Sequence, residues 1–246
     1  MEFKNEKNAE CGMINENDNI EKNIAYQLEY IINKDDIINF ISSSLYSIMH
    51  NNKLMKKKQL RGPNEPLYSK NIPVLSLNKY LVRIMKYTEC ENNTLIVAYL
   101  YIMILIKKEN FILGINNVYR LLLGSSVLAK KFLEDIRLDN SYYCNIGGLT
   151  NNELNLIEYS LFNRIDFNVN LKKEDVYKVY GEIFKALPQP RLNQIFYINN
   201  INNNTNNIDI ENEENHINNK LNNIVKFKEF QKEKKAGNNK NGIFEQ

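Results

Sequence analysis

Two charged residues sit on faces that are otherwise apolar. In "RLLLGSSVLAKKF", Arg120 to Phe132, helical spacing of about 100° per residue places Lys131 over Gly124, Val127 and Leu128. In "ELNLIEYSLF", Glu158 shares a helix face with Leu154, Leu161 and Phe162. A lysine in such a place is accommodated by laying its stem on apolar surface and keeping its head in water. Glutamate has a shorter stem and less reach. An isolated buried charge is too costly, so two opposite charges on apolar faces point either to an internal ion pair or to two anchors at the rim of a partner's surface.

Other residues capable of chemistry do not assemble into a catalytic set. His50 falls at a helix end and His216 in the C-terminal tail, neither with a nucleophile or metal ligand at useful spacing. Cys11, Cys90 and Cys144 are far apart, odd in number and form no C-x-x-C pair. A disulfide framework or zinc site is therefore not expected, and a reducing compartment fits. Gly147 and Gly148 read as a turn before a capped helix, not as a phosphate loop. Glu134 and Asp135 read as a solvated polar loop. The expectation is a non-catalytic chain with no metal and no cofactor.

The 246 residues, 43% hydrophobic and 25% charged, suffice for one sizeable core with tails. Asn makes up about one residue in six, which reads as a coding bias rather than chemistry. A net charge of +3 is too small to argue for nucleic acid, and the basic cluster "KLMKKKQLR" reads as a solvated loop or, more weakly, as a nuclear localisation signal or nucleic-acid patch. The N-terminal residues carry no apolar secretory segment. The longest apolar run, Thr94 to Ile106, is shorter than the roughly 20 residues that span a bilayer and suits a helix buried on most sides. No membrane association is expected.

Residues 1–19 are polar and aperiodic and read as disordered. From 20 to 187 the periodicity is helical throughout. An amphipathic helix follows Asp35 and Asp36, with Ile37, Phe40, Ile41, Leu45 and Ile48 on one face. A loop punctuated by Gly62, Pro63, Pro66 and Pro73 comes next. Five more helices follow closely, one starting on Ser76 and one behind a Thr150–Glu153 capping box. A last helix ends at "PQP". Residues 188–246 read as an Asn-rich low-complexity tail. The fold class is all-α.

The run "KFLEDIRLDNSYYCNIGGLTNNELNLIE" resembles the cyclin box, and within it the single-box group of fungal phosphate-regulator-like (P-type) and plant U-type cyclins. That group reads K-F-x-D-D, then Asn, an aromatic pair, V-G-G-[I/L]-[S/T] and E-L-N-x-L-E. Here Lys131, Phe132, Asp135, Asn140, Tyr142, Tyr143, Gly147, Gly148, Thr150, Glu153, Leu154, Asn155 and Glu158 match it. The resemblance covers about residues 36–181 and implies a five-helix box with flanking helices and no second box. It also implies that Lys131 and Glu158 form the charged pair that meets a cyclin-dependent protein kinase. Leu128, Phe132, Phe162, Phe167 and Val169 would line an apolar pocket for the kinase's regulatory helix. The implied role is that of activating subunit in a heterodimer, intracellular, in nucleus or cytoplasm. A cyclin-fold scaffold or a transcription-type binding module is the alternative. Two departures stand out: Met103 and Ile104 replace an Asp and Arg, leaving Arg83 to find another partner or reach solvent, and Tyr119 replaces a His.

Overall fold

The structure, a computed structural model, describes residues 28–56, 65–69, 71–136, 138–188 and 191–193. The expected disordered N-terminal segment, most of the basic cluster, His216 and nearly all of the expected tail lie outside them. All regular structure among the described residues is helical, with seven helices of eight residues or more in this order: α1 (Lys34–Leu54), α2 (Leu77–Thr88), α3 (Asn92–Glu109), α4 (Val118–Leu133), α5 (Asn140–Gly147), α6 (Asn151–Arg164) and α7 (Lys173–Ala186). Helices α2–α6 are the expected five-helix box, flanked by α1 and α7.

The starts of these helices are written in polar side chains. Asn33 accepts from the Asp36 N–H at 2.9 Å while the Asp36 carboxylate accepts from the Asn33 N–H at 3.2 Å, a full capping box on α1. Asp36 also receives Arg191 at 3.0 Å, and neighbouring Leu192 is buried, so packing continues past the expected boundary at 187. Ser76 accepts from the Lys79 N–H at 3.3 Å. Thr150 and Glu153 form the predicted capping box on α6. Gly148, at φ 64°, ends α5 in the left-handed conformation that favours glycine.

Helix α3 is the axis of the core. Thr94 to Tyr99, Tyr101, Ile102 and Leu105 are buried, and α1, α4, α6 and α7 all pack against it. Its apolar residues cover most of its circumference because it has neighbours on most sides. Among the described residues no helix is long and apolar enough to cross a membrane.

Helix α4 lies between α3 and α6 and comes close to the latter because its middle is small. A Cβ on Gly124 would stand 2.5 Å from Ile157 Cγ2 of α6. Ser125 and Ser126 are buried and return their hydroxyls to the Leu121 and Leu122 carbonyls at 2.6 and 2.7 Å, so no polar group is stranded. The expected role of this small stretch, letting neighbours approach, is what the packing shows at Gly124.

Candidate functional site

Three helices meet at the C-terminal end of α4. Lys131 Nζ donates to Glu158 Oε1 at 2.8 Å and Oε2 at 2.9 Å, and to Asn140 Oδ1 at 2.7 Å. The Asn140 amide in turn donates to Asn155 Oδ1 at 2.7 Å and Glu158 Oε2 at 3.2 Å. Lys131 thus comes from α4, Asn140 from the first turn of α5, and Asn155 and Glu158 from α6. The first of the two sequence readings, an internal pair, is realised. The second is not displaced by it, because the Lys131 side chain is 32% exposed and Glu158 15%. The pair lies at a rim, with enough desolvation to hold it and enough surface to meet another molecule.

The apolar residues expected beside the pair fall into two sets. Leu128 and Val169 are partly buried against the core, and Phe162 is partly buried. Phe132 and Phe167 stand out, 46% and 59% exposed. Phe167 meets Phe162 edge-on, with ring centroids 4.7 Å apart and planes at 89°. Phe162 lies one turn beyond Glu158 on α6, so that helix joins the aromatic pair to the charged one.

A strained turn presents Phe167. Asp166 and Phe167 both have left-handed backbone, φ 55° and 58°, at about 1–3 kcal/mol each for non-glycine residues. The compensation is local. The Phe167 N–H donates to the Phe162 carbonyl at 2.9 Å and the Asn168 N–H to that of Ile165 at 3.1 Å. Lys108 of α3 pairs with Asp166 and donates to the Arg164 carbonyl at 3.3 Å. Beyond the turn, the Tyr101 hydroxyl donates to the Val169 carbonyl at 2.7 Å.

Sequence reasoning missed the neighbouring lysine. Lys130 is the buried member of the "KK" pair, its side chain 4% exposed, and it pairs with Glu134, 10% exposed. Glu134 is therefore not part of a solvated loop, as its surroundings in the sequence suggested. Its Oε1 accepts from the Thr94 hydroxyl at 2.6 Å and the Glu91 N–H at 3.0 Å. Helix α3 has no capping side chain of its own at that end, so Glu134 supplies one from α4. Burial pushes the Glu134 carboxyl up, but the bonds from Lys130, Thr94 and Glu91 outweigh it and hold the group below the ordinary carboxylate range. The i, i+4 spacing of Lys130 and Glu134 was the signal available; a helix ending between them masked it.

The departures from the family pattern are resolved. Arg83 donates to the carbonyls of Ile146 at 3.0 Å and Asn145 at 3.3 Å, at the end of α5, and lies over the Tyr87 ring. The Tyr119 hydroxyl donates to the Leu75 carbonyl, and its ring packs edge-on against Tyr80 at 5.1 Å. Cys90 and Cys144 are free thiols in buried positions, and no group of metal-ligating side chains forms among the described residues. His50 stacks on Tyr46.

Residues 18–169 match the family model described as Cyclin. The chain is 35% identical over 100 residues to Cyclin-U4-2 of Arabidopsis thaliana, covering 40% of this chain and 46% of that protein. It is 33% identical over 126 residues to the PHO85 cyclin-like protein psl1 of Schizosaccharomyces pombe, covering 50% and 51%. To Cyclin-P3-1 of Oryza sativa subsp. japonica it is 28% identical over 128 residues, covering 52% and 54%. The chain spans about half the length of these relatives.

Proposed function

This chain belongs to the cyclin family and is similar to its U- and P-type members, and we propose that it is the activating subunit of a cyclin-dependent protein kinase, docking through the edge formed by α4, α5 and α6. The observation that carries the reading is the assembled Lys131–Glu158 pair, partly exposed, on the same edge as the exposed rings of Phe132 and Phe167. Charges and aromatics left uncovered at a rim are what a partner surface requires.

The kinase would contribute its regulatory helix. Leu128, Phe132, Phe162, Phe167 and Val169 would receive its apolar face, and the Lys131–Glu158 pair would hold its backbone or a polar side chain at the border. In a free kinase with that helix displaced, the catalytic Lys–Glu ion pair is broken. A partner that binds only the inward position shifts the equilibrium toward the active state, and only its differential affinity does so. In this reading the chain performs no chemistry itself and works inside the cell, in nucleus or cytoplasm, where its kinase is.

The test is to recover the full chain, tagged, from its own cells and assay the eluate for phosphorylation of histone. Wild-type chain should bring down a protein kinase and its activity; Lys131→Glu should bring down neither. Absence of kinase activity with wild-type chain, together with specific, salt-sensitive binding to duplex DNA, would move the assignment to a transcription-type module.

A further inference from the structure

The last turn of α4 carries Lys131 and Phe132, yet little apolar burial holds it. Beyond Val127 the buried positions of the helix are Ala129 and Lys130. Phe132 and Leu133 are each 46% exposed, and Ile136 just beyond is 74% exposed. What fixes the turn is polar, and it acts from two sides. Successive helical residues point about 100° apart, so Lys131 grips α5 and α6 while Lys130 turns inward to Glu134. Glu134 in turn is fastened to the first turn of α3 through Thr94 and the Glu91 N–H.

We propose that Lys130 and Glu134 are positioning residues: their buried pair clamps the last turn of α4 to the start of α3 and thereby sets where Lys131 and Phe132 stand on the docking edge. What that edge docks against rests on the kinase reading above; the clamp itself does not. Apolar side chains could fill the same space, but they would hold the turn without direction. Three donors converging on one carboxylate fix both the rotation of the helix end and its distance from α3. Because Glu134 also covers the uncapped start of α3, the clamp couples the docking edge to the axis of the core.

The experiment compares full-length wild type, Glu134→Ala and Lys130→Met by amide hydrogen exchange, thermal unfolding and affinity for the kinase co-purified with wild type. Exchange in the last turn of α4 and the first turn of α3 should rise about tenfold in both variants, with α1 and α2 unchanged. Kinase affinity should fall about tenfold, and in a Lys131→Ala background the same substitutions should cost far less, since they act through that residue. A pair with only a structural role would lower the unfolding temperature, raise exchange everywhere and add independently to Lys131→Ala. That result, or unchanged exchange in the turn, overturns the proposal. Lys130→Met leaves Glu134 bonded to Thr94 and Glu91, so it carries the test if Glu134→Ala does not fold. Should wild-type chain capture no kinase, the functional reading fails, and local exchange alone decides the clamp.

Discussion

The two halves of α4 are built for different ends. From Val118 to Val127 the helix is closed: every residue but Arg120 is buried, small side chains admit α6, and the two buried serine hydroxyls return to the helix's own backbone. From Leu128 to Leu133 it is open: two lysines in succession, an exposed phenylalanine and an exposed leucine, held by the Lys130–Glu134 and Lys131–Glu158 ion pairs and by hydrogen bonds that reach α3 and α5. One half maximises contact within the chain. The other leaves contact unmade and spends polar bonds on orientation. If the open half is the proposed docking edge, stability and recognition are separated by about one helical turn, and substitutions should separate in the same way.

The largest expected effect lies in the open half. Lys131→Ala or Glu158→Ala removes one member of a partly desolvated pair at the proposed interface and should weaken kinase affinity by about 2–5 kcal/mol, read by titration of the isolated kinase. The unfolding temperature should move little in comparison. Next comes the closed half. Gly124→Val drives a branched side chain into Ile157 and should cost about 1–3 kcal/mol or more of stability, measured by urea unfolding, while the folded fraction binds kinase as wild type does. If Gly124→Val abolished binding by molecules that remain folded, the separation of the two halves would be broken.

Smaller effects sharpen the contrast. Thr150→Ala removes the hydroxyl that covers the Glu153 N–H at the start of α6 and should cost about 1 kcal/mol of stability. Acid should act through the carboxylates. The Thr150 N–H, with Arg120, holds Glu153 below the ordinary carboxylate range, and Glu134 is lowered as well. Groups depressed in the folded state contribute stability above their unfolded pKa and lose it as pH falls through the folded one. Stability should therefore decline as pH falls below the ordinary carboxylate range, and Glu134→Gln with Glu153→Gln should flatten that decline. Smallest is Lys108→Met. Its pair with Asp166 is exposed, so stability should change by less than about 1 kcal/mol.

Much of the closed half, and of the core around it, was legible in the sequence. Apolar spacing marked α3 as a helix buried on most sides, the Gly–Ser–Ser stretch marked a close approach, and the Thr150–Glu153 pair marked the start of α6. These signals are local or periodic, and the fold obeys them. The open half was legible in part. Lys131 and Glu158 were visible as charges on apolar faces, and the motif joined them. Asn140 was visible only as a motif position, because a hydrogen bond between helices leaves no period behind. Lys130 and Glu134 were misjudged: one was overshadowed by its neighbour, the other assigned to solvent because it lies past a helix end. Arg83 found backbone carbonyls, which have no residue type to announce them. Half of the Asn33–Asp36 box was visible in its acid, but Asn33 was lost among so many other asparagines.

The measurement that bears most directly on the central claim is the phosphorylation rate of the isolated kinase partner as the full-length chain is added. The account predicts a rate that rises with wild-type chain and saturates, with the curve for Lys131→Ala displaced to at least about tenfold higher concentration. A kinase that binds the chain without any rise in rate, or one that responds equally to wild type and Lys131→Ala, would contradict it.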